Sequence, residues 1–314
     1  MKRISFVLPV HNEREVVVEF HKVLTSELNS LGDYEFDFVY VDDGSTDGSL
    51  EQLRHLGASD NRVRVVSLSR NFGHQLALTA GLDRADGDAV IIMDTDLQDP
   101  PNVVPSLIAE WELGADCVNA RRISRNDSVF KRWTAKAFYW WLSRVSEVDL
   151  PRDVGDFRLV DKSVVAQVRQ FRESDRYLRG MFAYLGHSQA FVDFRRDARA
   201  AGKSSYGIAA MLKLATGGVM GFSSAPLKMV RNVGLMIAGI AFAGALYVFL
   251  GRLIEPNSTV PGWAFTVISI LFVGGVQIVM LSIVGSYVGR IYTEVKNRPL
   301  YGIAFDTGLE SSDL

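Results

Sequence analysis

The chain has 314 residues, 48% apolar and 22% charged, enough to bury the core of one large domain or two modest ones. A formal net charge of −2 gives no whole-chain attraction for nucleic acid, and a single cysteine, Cys117, excludes an internal disulfide framework. The first residues, MKRISFVLPV, hold too short an apolar run for a signal peptide and are expected to form a strand.

Residues 4–10 (ISFVLPV) predict strand one, with His11, Asn12 and Glu13 at its carboxyl end and an amphipathic helix to about Asn29. Residues 35–41 predict strand two, ending in Asp42-Asp43-Gly44-Ser45-Thr46-Asp47-Gly48, where Gly44 suits the turn and Ser45 or Thr46 can cap the next helix. Strand three is expected at 63–68, and Arg70-Asn71-Phe72-Gly73-His74 leads from it into a helix to about Ala85. Strand four is expected at 89–93, a helix at about 102–113, and strand five at about 115–120 with Arg121 and Arg122 behind it. Strands alternating with helices at this spacing predict a parallel, doubly wound sheet. Neither G-x-G-x-x-G nor a Walker A sequence occurs, so the usual glycine-rich phosphate sites are absent.

The stretch around which the rest is organised is VIIMDTDLQDPP, residues 90–101. Four apolar residues read as a buried central strand, which Pro100 and Pro101 stop. Asp94, Asp96, Gln98 and Asp99 then fall at the carboxyl end of that strand, where open α/β sheets bind ligands. Asp94 and Asp96 share a face of an extended chain. Two carboxylates and an amide oxygen suit Mg²⁺ or Mn²⁺, which suits a diphosphate; a solvated acidic turn is the alternative.

Beyond strand five the chain becomes basic and aromatic, with Arg121, Arg122, Arg125, Lys131, Arg132 and Lys136 among Phe130, Trp133, Phe138, Tyr139, Trp140 and Trp141. This predicts an amphipathic helix at about 128–146 lying on a membrane surface, a core helix being the alternative. Asp153-Val154-Gly155-Asp156-Phe157-Arg158-Leu159 follows, then a basic stretch with Arg195, Arg196, Arg199 and Lys203. Residues 206–231 are expected to form an interfacial juxtamembrane helix. Residues 232–251 carry no charge over 20 positions and 256–289 none over 34. They predict two membrane-spanning helices, at about 232–251 and 263–288, joined as a hairpin. Lys213, Lys228, Arg231, Arg290, Lys296 and Arg298 flank the pair, against Arg252 offset by Glu255 in the connection. That bias predicts a cytoplasmic globular part (1–205), a cytoplasmic tail (290–314) and a cell-membrane location. Trp263 and Tyr292 are placed as interfacial anchors, and Gly285-x-x-x-Gly289 leaves self-association through the second span open.

VLPVHNE, VDDGSTDGS and DTDLQDPP, in that order, resemble the inverting family 2 glycosyltransferases of the GT-A fold, a Rossmann-like, mostly parallel α/β sheet. GDFRLVDK, RAAGKSSYG and the two apolar runs narrow the resemblance to polyprenyl-phosphate glycosyltransferases, the group of dolichol-phosphate mannose synthase and the bacterial bactoprenol glucosyltransferases. It extends over residues 4–298. The resemblance implies a metal-dependent hexosyl transfer from a nucleotide-sugar, UDP-glucose foremost, to an undecaprenyl-type phosphate. It assigns Pro9, His11, Glu13, Val41, Asp42 and Asp43 to the nucleotide, and Asp94, Asp96 and Gln98 to the metal. Arg121 and Arg199 are assigned to the donor phosphates, and Lys131 and Arg132 to the lipid phosphate. Asp156 is assigned a catalytic role toward the acceptor, as base or positioning group. Where the family usually has lysine after G-x-S, this chain has Ser205, with Lys203 two residues earlier as its candidate replacement. Processive members usually carry Q-x-x-R-W; Val129 stands where that glutamine would precede Arg132-Trp133. A processive enzyme, a soluble-acceptor enzyme and a non-enzymatic membrane scaffold with a degenerate nucleotide fold are the rival readings.

Overall fold

The computed structural model describes residues 1–123, 154–195, 225–254 and 262–308. Apolar runs set the strands. β1 (Lys2–Val10) is buried from Ile4 onward, β2 (Tyr34–Asp42) from Phe38 onward, and the short β4 (Ala89–Ile92) throughout. β3 is Val63–Leu68, β5 Cys117–Arg122, β6 Val154–Asp161, β7 Gln189–Phe194 and β8 Ile303–Asp306. They form one eight-stranded sheet in the order β7-β5-β6-β4-β1-β2-β3-β8. β1 pairs in parallel with β2 and β4, β2 with β3, and β5 with β7. β6 runs antiparallel between β4 and β5, and β8 runs antiparallel along β3. The sheet is therefore mostly parallel, as expected, with two reversed strands that the helix–strand alternation did not announce.

Helices cover both faces. α1 (Val17–Leu28) buries Val17, Phe20, His21, Leu24 and Leu28, the i, i+3, i+4, i+7 stripe of a core-facing helix. These residues meet Phe6, Leu8, Phe38 and Tyr40 in the larger core, which also takes residues from α2 (Ser49–Ser59) and α4 (Val104–Glu112). Val39, Val41, Val66 and Leu68 point to the opposite face, where Ala77 and Ala80 of α3 (His74–Leu82) cover them. Pro100 ends the extended chain, and Pro101 opens the 3₁₀ turn Pro101–Val103 that leads into α4. α5 (Lys162–Val168) starts at Asp161, whose side chain accepts from the Ser163 N–H, and α6 (Leu178–Tyr184) follows.

Two long helices, α7 (Ala225–Ile254) and α8 (Trp263–Val295), form a second compact unit. A methyl on Gly234 of α7 would meet Met280 Cε of α8 at 3.1 Å, so the two pack closely there. Phe272–Val295 is long and apolar enough to cross a membrane, and Met229–Gly244 is a shorter apolar stretch. Phe242, Tyr247, Phe272, Ile278 and Leu281 are exposed, as lipid-facing side chains would be. The expected amphipathic helix at 128–146, residues 206–224 of the juxtamembrane helix, and Lys131, Arg132, Arg199 and Lys203 lie outside the described residues.

Candidate active site

Three loops at the carboxyl ends of β1, β2 and β3 are tied together by side chains. Asn12, in the left-handed region at φ 57°, donates its N–H to Ser45 Oγ (3.0 Å) and accepts from the Thr46 N–H (2.9 Å). Asparagine tolerates that conformation better than most residues. The Glu13 N–H donates to Ser49 Oγ at 2.9 Å, and His11 Nδ1 donates to the Asp43 carbonyl at 2.9 Å, which leaves Nε2 to accept from the Asn71 amide at 3.1 Å. Asp43 accepts from the N–H groups of Phe72 (2.7 Å) and Gly73 (2.9 Å), holding the third loop. Gly44 is required here: its φ is +64°, and a Cβ would come within 2.5 Å of Asn71 N.

The fourth loop follows β4. Thr95 Oγ1 donates to the Pro9 carbonyl at 3.0 Å, and the Gln98 N–H donates to Asp96 Oδ1 at 3.0 Å. Leu97 between them has φ 58°, a left-handed strain of the kind that concentrates at functional sites. Pro9, Val10, His11, Glu13, Asp43, Asn71, Gly73, His74, Ala77, Asp94, Thr95 and Asp96 enclose a cavity of about 280 Å³. It opens between β1 and β4, where the strand order reverses, the usual ligand position of a doubly wound sheet.

The cavity is acidic. Desolvation raises the Glu13 carboxyl above its ordinary value, and Asp96, Asp47 and Asp94 add to the effect. Desolvation also raises Asp94; His74 pulls the other way, while Asp156 and Asp96 push it up further. Such a site favours a cation. Among the described residues no three His, Cys, Asp or Glu side chains converge as a metal cage. Asp94 and Asp96 nevertheless fit a hard divalent ion, which is commonly held by one or two carboxylates while substrate phosphates and water complete the shell.

Beside Asp94 stands a second group of charges. His74 Nε2 lies 3.6 Å from Asp94 Oδ1 and 3.3 Å from Asp156 Oδ2. Arg179, from the start of α6, donates to both Asp156 oxygens, at 2.8 and 3.0 Å. Burial disfavours ionised Asp156, but His74 and Arg179 outweigh it and hold the carboxyl well below the usual range. Burial would likewise lower His74, but the hydrogen bond to Asp156 and the charge of Asp94 raise it.

The expected site residues separate into three sets. Pro9, His11, Glu13, Asp43, Asp94 and Asp96 line the cavity, with Asp156 adjoining through His74. Val41, Asp42, Gln98 and Arg121 do not line it. Val41 is core, and Asp42 is buried, accepting from Ser67 Oγ (2.8 Å) and the Ser45 N–H (3.2 Å). Arg121 pairs with Asp193 at 2.6 Å, whereas Arg122 turns to the acidic loop and meets Asp99 at 3.3 Å. Lys131, Arg132, Arg199 and Lys203 form the third set, outside the described residues. His74, Arg179, Arg122 and Gln75, whose amide donates to Asp156 Oδ2 at 3.4 Å, are site residues that the motifs do not point to; a glycine followed by histidine at a helix start on the ligand edge is the local signal for the first.

A mostly parallel sheet with an acidic cavity at its switch point defines a doubly wound α/β protein whose ligand edge favours a cation. The chain belongs to glycosyl transferase family 2, whose model matches residues 5–169. It is 40% identical to the bactoprenol glucosyl transferase of Shigella phage SfII over 95% of this chain and 96% of that one. It is 38% identical to the uncharacterized glycosyltransferase YkcC of Bacillus subtilis (strain 168), over 99% and 96%. The prophage bactoprenol glucosyl transferase homolog of Escherichia coli (strain K12) is also 38% identical, over 95% and 97%.

Proposed function

We propose that the protein transfers a sugar, with inversion, from a nucleotide-sugar to the phosphate of a membrane polyprenyl phosphate, at the cytoplasmic face of the cell membrane. UDP-glucose is the favoured donor. The observation that carries this reading is the Asp94–Asp96 cavity in a chain that aligns along nearly its whole length with bactoprenol glucosyl transferases and carries one helix, Phe272–Val295, long and apolar enough to cross a membrane.

In the proposed reaction an acceptor phosphate oxygen attacks the anomeric carbon from the side opposite the leaving group. The bond from that carbon to the donor's diphosphate breaks, and the nucleoside diphosphate leaves with the electron pair. A bound Mg²⁺ or Mn²⁺ would supply charge neutralisation at the diphosphate. Asp94 and Asp96 would hold that ion, and the His11–Asn12–Glu13 and 70–74 loops would seat the nucleotide. A phosphate monoester has a second pKa of about 6, so the nucleophile is largely dianionic near neutral pH and needs no strong base. Asp156 then serves by keeping His74 and Arg179 in place beside the acceptor path.

The test is transfer of label from radioactive nucleotide-sugars to a lipid extract containing polyprenyl phosphate. Label from UDP-glucose in an acid-labile, alkali-stable lipid supports the reading. Label appearing only in a water-soluble product or in a polymer defeats it.

A further inference from the structure

The chain returns to the catalytic sheet after its last long helix. β8 pairs with β3, Val66 opposite Asp306 and Leu68 opposite Ile303. The pairing is anchored by a buried charge cluster: Arg64 donates to Asp306 at 2.9 and 3.1 Å, and Arg84 donates to it at 2.7 Å. An added edge strand can serve merely to cover an exposed sheet edge. That role does not account for the two residues preceding the strand.

Gly302 accepts from the Ser69 N–H at 2.9 Å, immediately before the 70–74 loop. A Cβ on Gly302 would meet Ser69 Oγ at 2.8 Å, so the Ser69 side chain next to that loop would have to shift, and it would touch the Phe72 ring at 3.9 Å, an ordinary contact. Tyr301, Ile303 and Phe72 pack against the same core cluster, which includes Ala77 and Ala80 of α3. The Tyr301 hydroxyl donates to Asp83 at 2.7 Å and accepts from Arg84 at 3.1 Å, just past the carboxyl end of α3. The returning segment thus touches both ends of the unit that carries Asn71, Gly73 and His74 into the cavity.

We propose that residues 301–307 are a positioning element for the donor site: Tyr301 and Gly302 act through Phe72 and α3 to set the 70–74 loop against the nucleotide-sugar. The proposal rests on the functional reading above. It makes the post-membrane segment part of the donor site rather than a tail.

The experiment uses the full-length protein in detergent and compares wild type, Gly302→Ala, Tyr301→Phe, Ser69→Ala and the Ser69→Ala/Gly302→Ala double variant. UDP and GDP binding are measured by calorimetry with Mn²⁺, together with separate KM values for donor and acceptor. Gly302→Ala is expected to weaken nucleotide binding and raise the donor KM by about three- to tenfold, with the acceptor KM within about twofold of wild type. Removing the Ser69 hydroxyl makes room for the new methyl, so the double variant is expected to recover. Tyr301→Phe is expected to move the donor KM in the same direction and decides the matter if Gly302→Ala fails to fold. Unchanged nucleotide affinity in a folded variant, equal losses for donor and acceptor, or no rescue in the double variant would overturn the proposal. If wild type binds neither UDP nor GDP, the functional reading fails first and this proposal falls with it.

Discussion

Arg179 holds the Asp156 carboxylate with two hydrogen bonds, and the same carboxylate meets His74 Nε2 at 3.3 Å. A carboxylate so occupied, with its ionised form this strongly favoured, is a poor proton acceptor and a good fixed point. Asp156→Asn and Arg179→Gln should therefore each lower kcat by roughly 100-fold or more while leaving UDP affinity within about twofold, because the proposed role of the pair is to position groups beside the acceptor rather than to hold the nucleotide. Because the two residues act as a unit, the double variant should lose little beyond either single one. Losses that multiply would show that Asp156 has an independent chemical role.

The acidic loop makes a separate prediction. Asp96→Asn should abolish transfer without unfolding the protein, because it removes one of the two carboxylates proposed to hold the ion, and among the described residues no further metal cage stands by to replace it. EDTA should silence wild type, and Mg²⁺ or Mn²⁺ should restore it. Full activity in EDTA would remove the metal from the mechanism.

Asp306 allows a test of stability against pH. Burial alone would raise its carboxyl, but hydrogen bonds from Arg64 and Arg84 outweigh that and hold it below the ordinary value. A depressed folded value contributes stability fully present above the unfolded pKa of about 3.9, and lost as pH falls through the folded value. Hydrogen-exchange protection at Ile303–Asp306, taken relative to the intrinsic exchange rate at each pH, should then be high at neutral pH and fall below about pH 4. Asp306→Asn should cost about 3 kcal/mol at neutral pH, the lower end for breaking a buried pair because Arg64 is 28% exposed. Equal protection of β8 at both pH values would disconnect the ion cluster from the strand.

What could be read from the sequence follows the range of the interactions. β1 and β4 declare themselves through apolar runs, interrupted in β1 only by Ser5, and the carboxylates that follow them mark the ligand edge by position in the chain alone. β6 hides because Asp156 and Arg158 interrupt it; the sheet tolerates them because Arg158 donates to the Gly155 carbonyl at 2.8 Å and lies over the Phe182 ring. β8 is only four residues long, and its partner β3 lies more than 230 positions earlier, so no local pattern reports it. His74, Asp156 and Arg179 come from three separate elements and meet only through the fold, which is why the histidine and the arginine escape a reading by motif. Asp42 shows the converse: it stands beside Asp43 in the same motif, yet folding turns one carboxylate to Ser67 and the other to the 70–74 loop.

The acceptor gives the sharpest separation from rival enzymes. Lys131, Arg132, Arg199 and Lys203 lie outside the described residues, but their charge suits a phosphate dianion at a membrane surface. Arg132→Ala should raise the KM for polyprenyl phosphate, or lower kcat if the contact tightens only as the bond forms, while UDP affinity stays near wild type. The proposed donor cavity is built from the loops after β1 to β4, so a basic residue serving the acceptor has no reason to disturb it. A polyprenol without phosphate, or a free sugar, should be inert in the same assay because the proposed nucleophile is the phosphate oxygen. Robust transfer to either would identify a soluble-acceptor or polymer-forming enzyme, and an Arg132→Ala variant that lost UDP binding instead would assign this arginine to the donor.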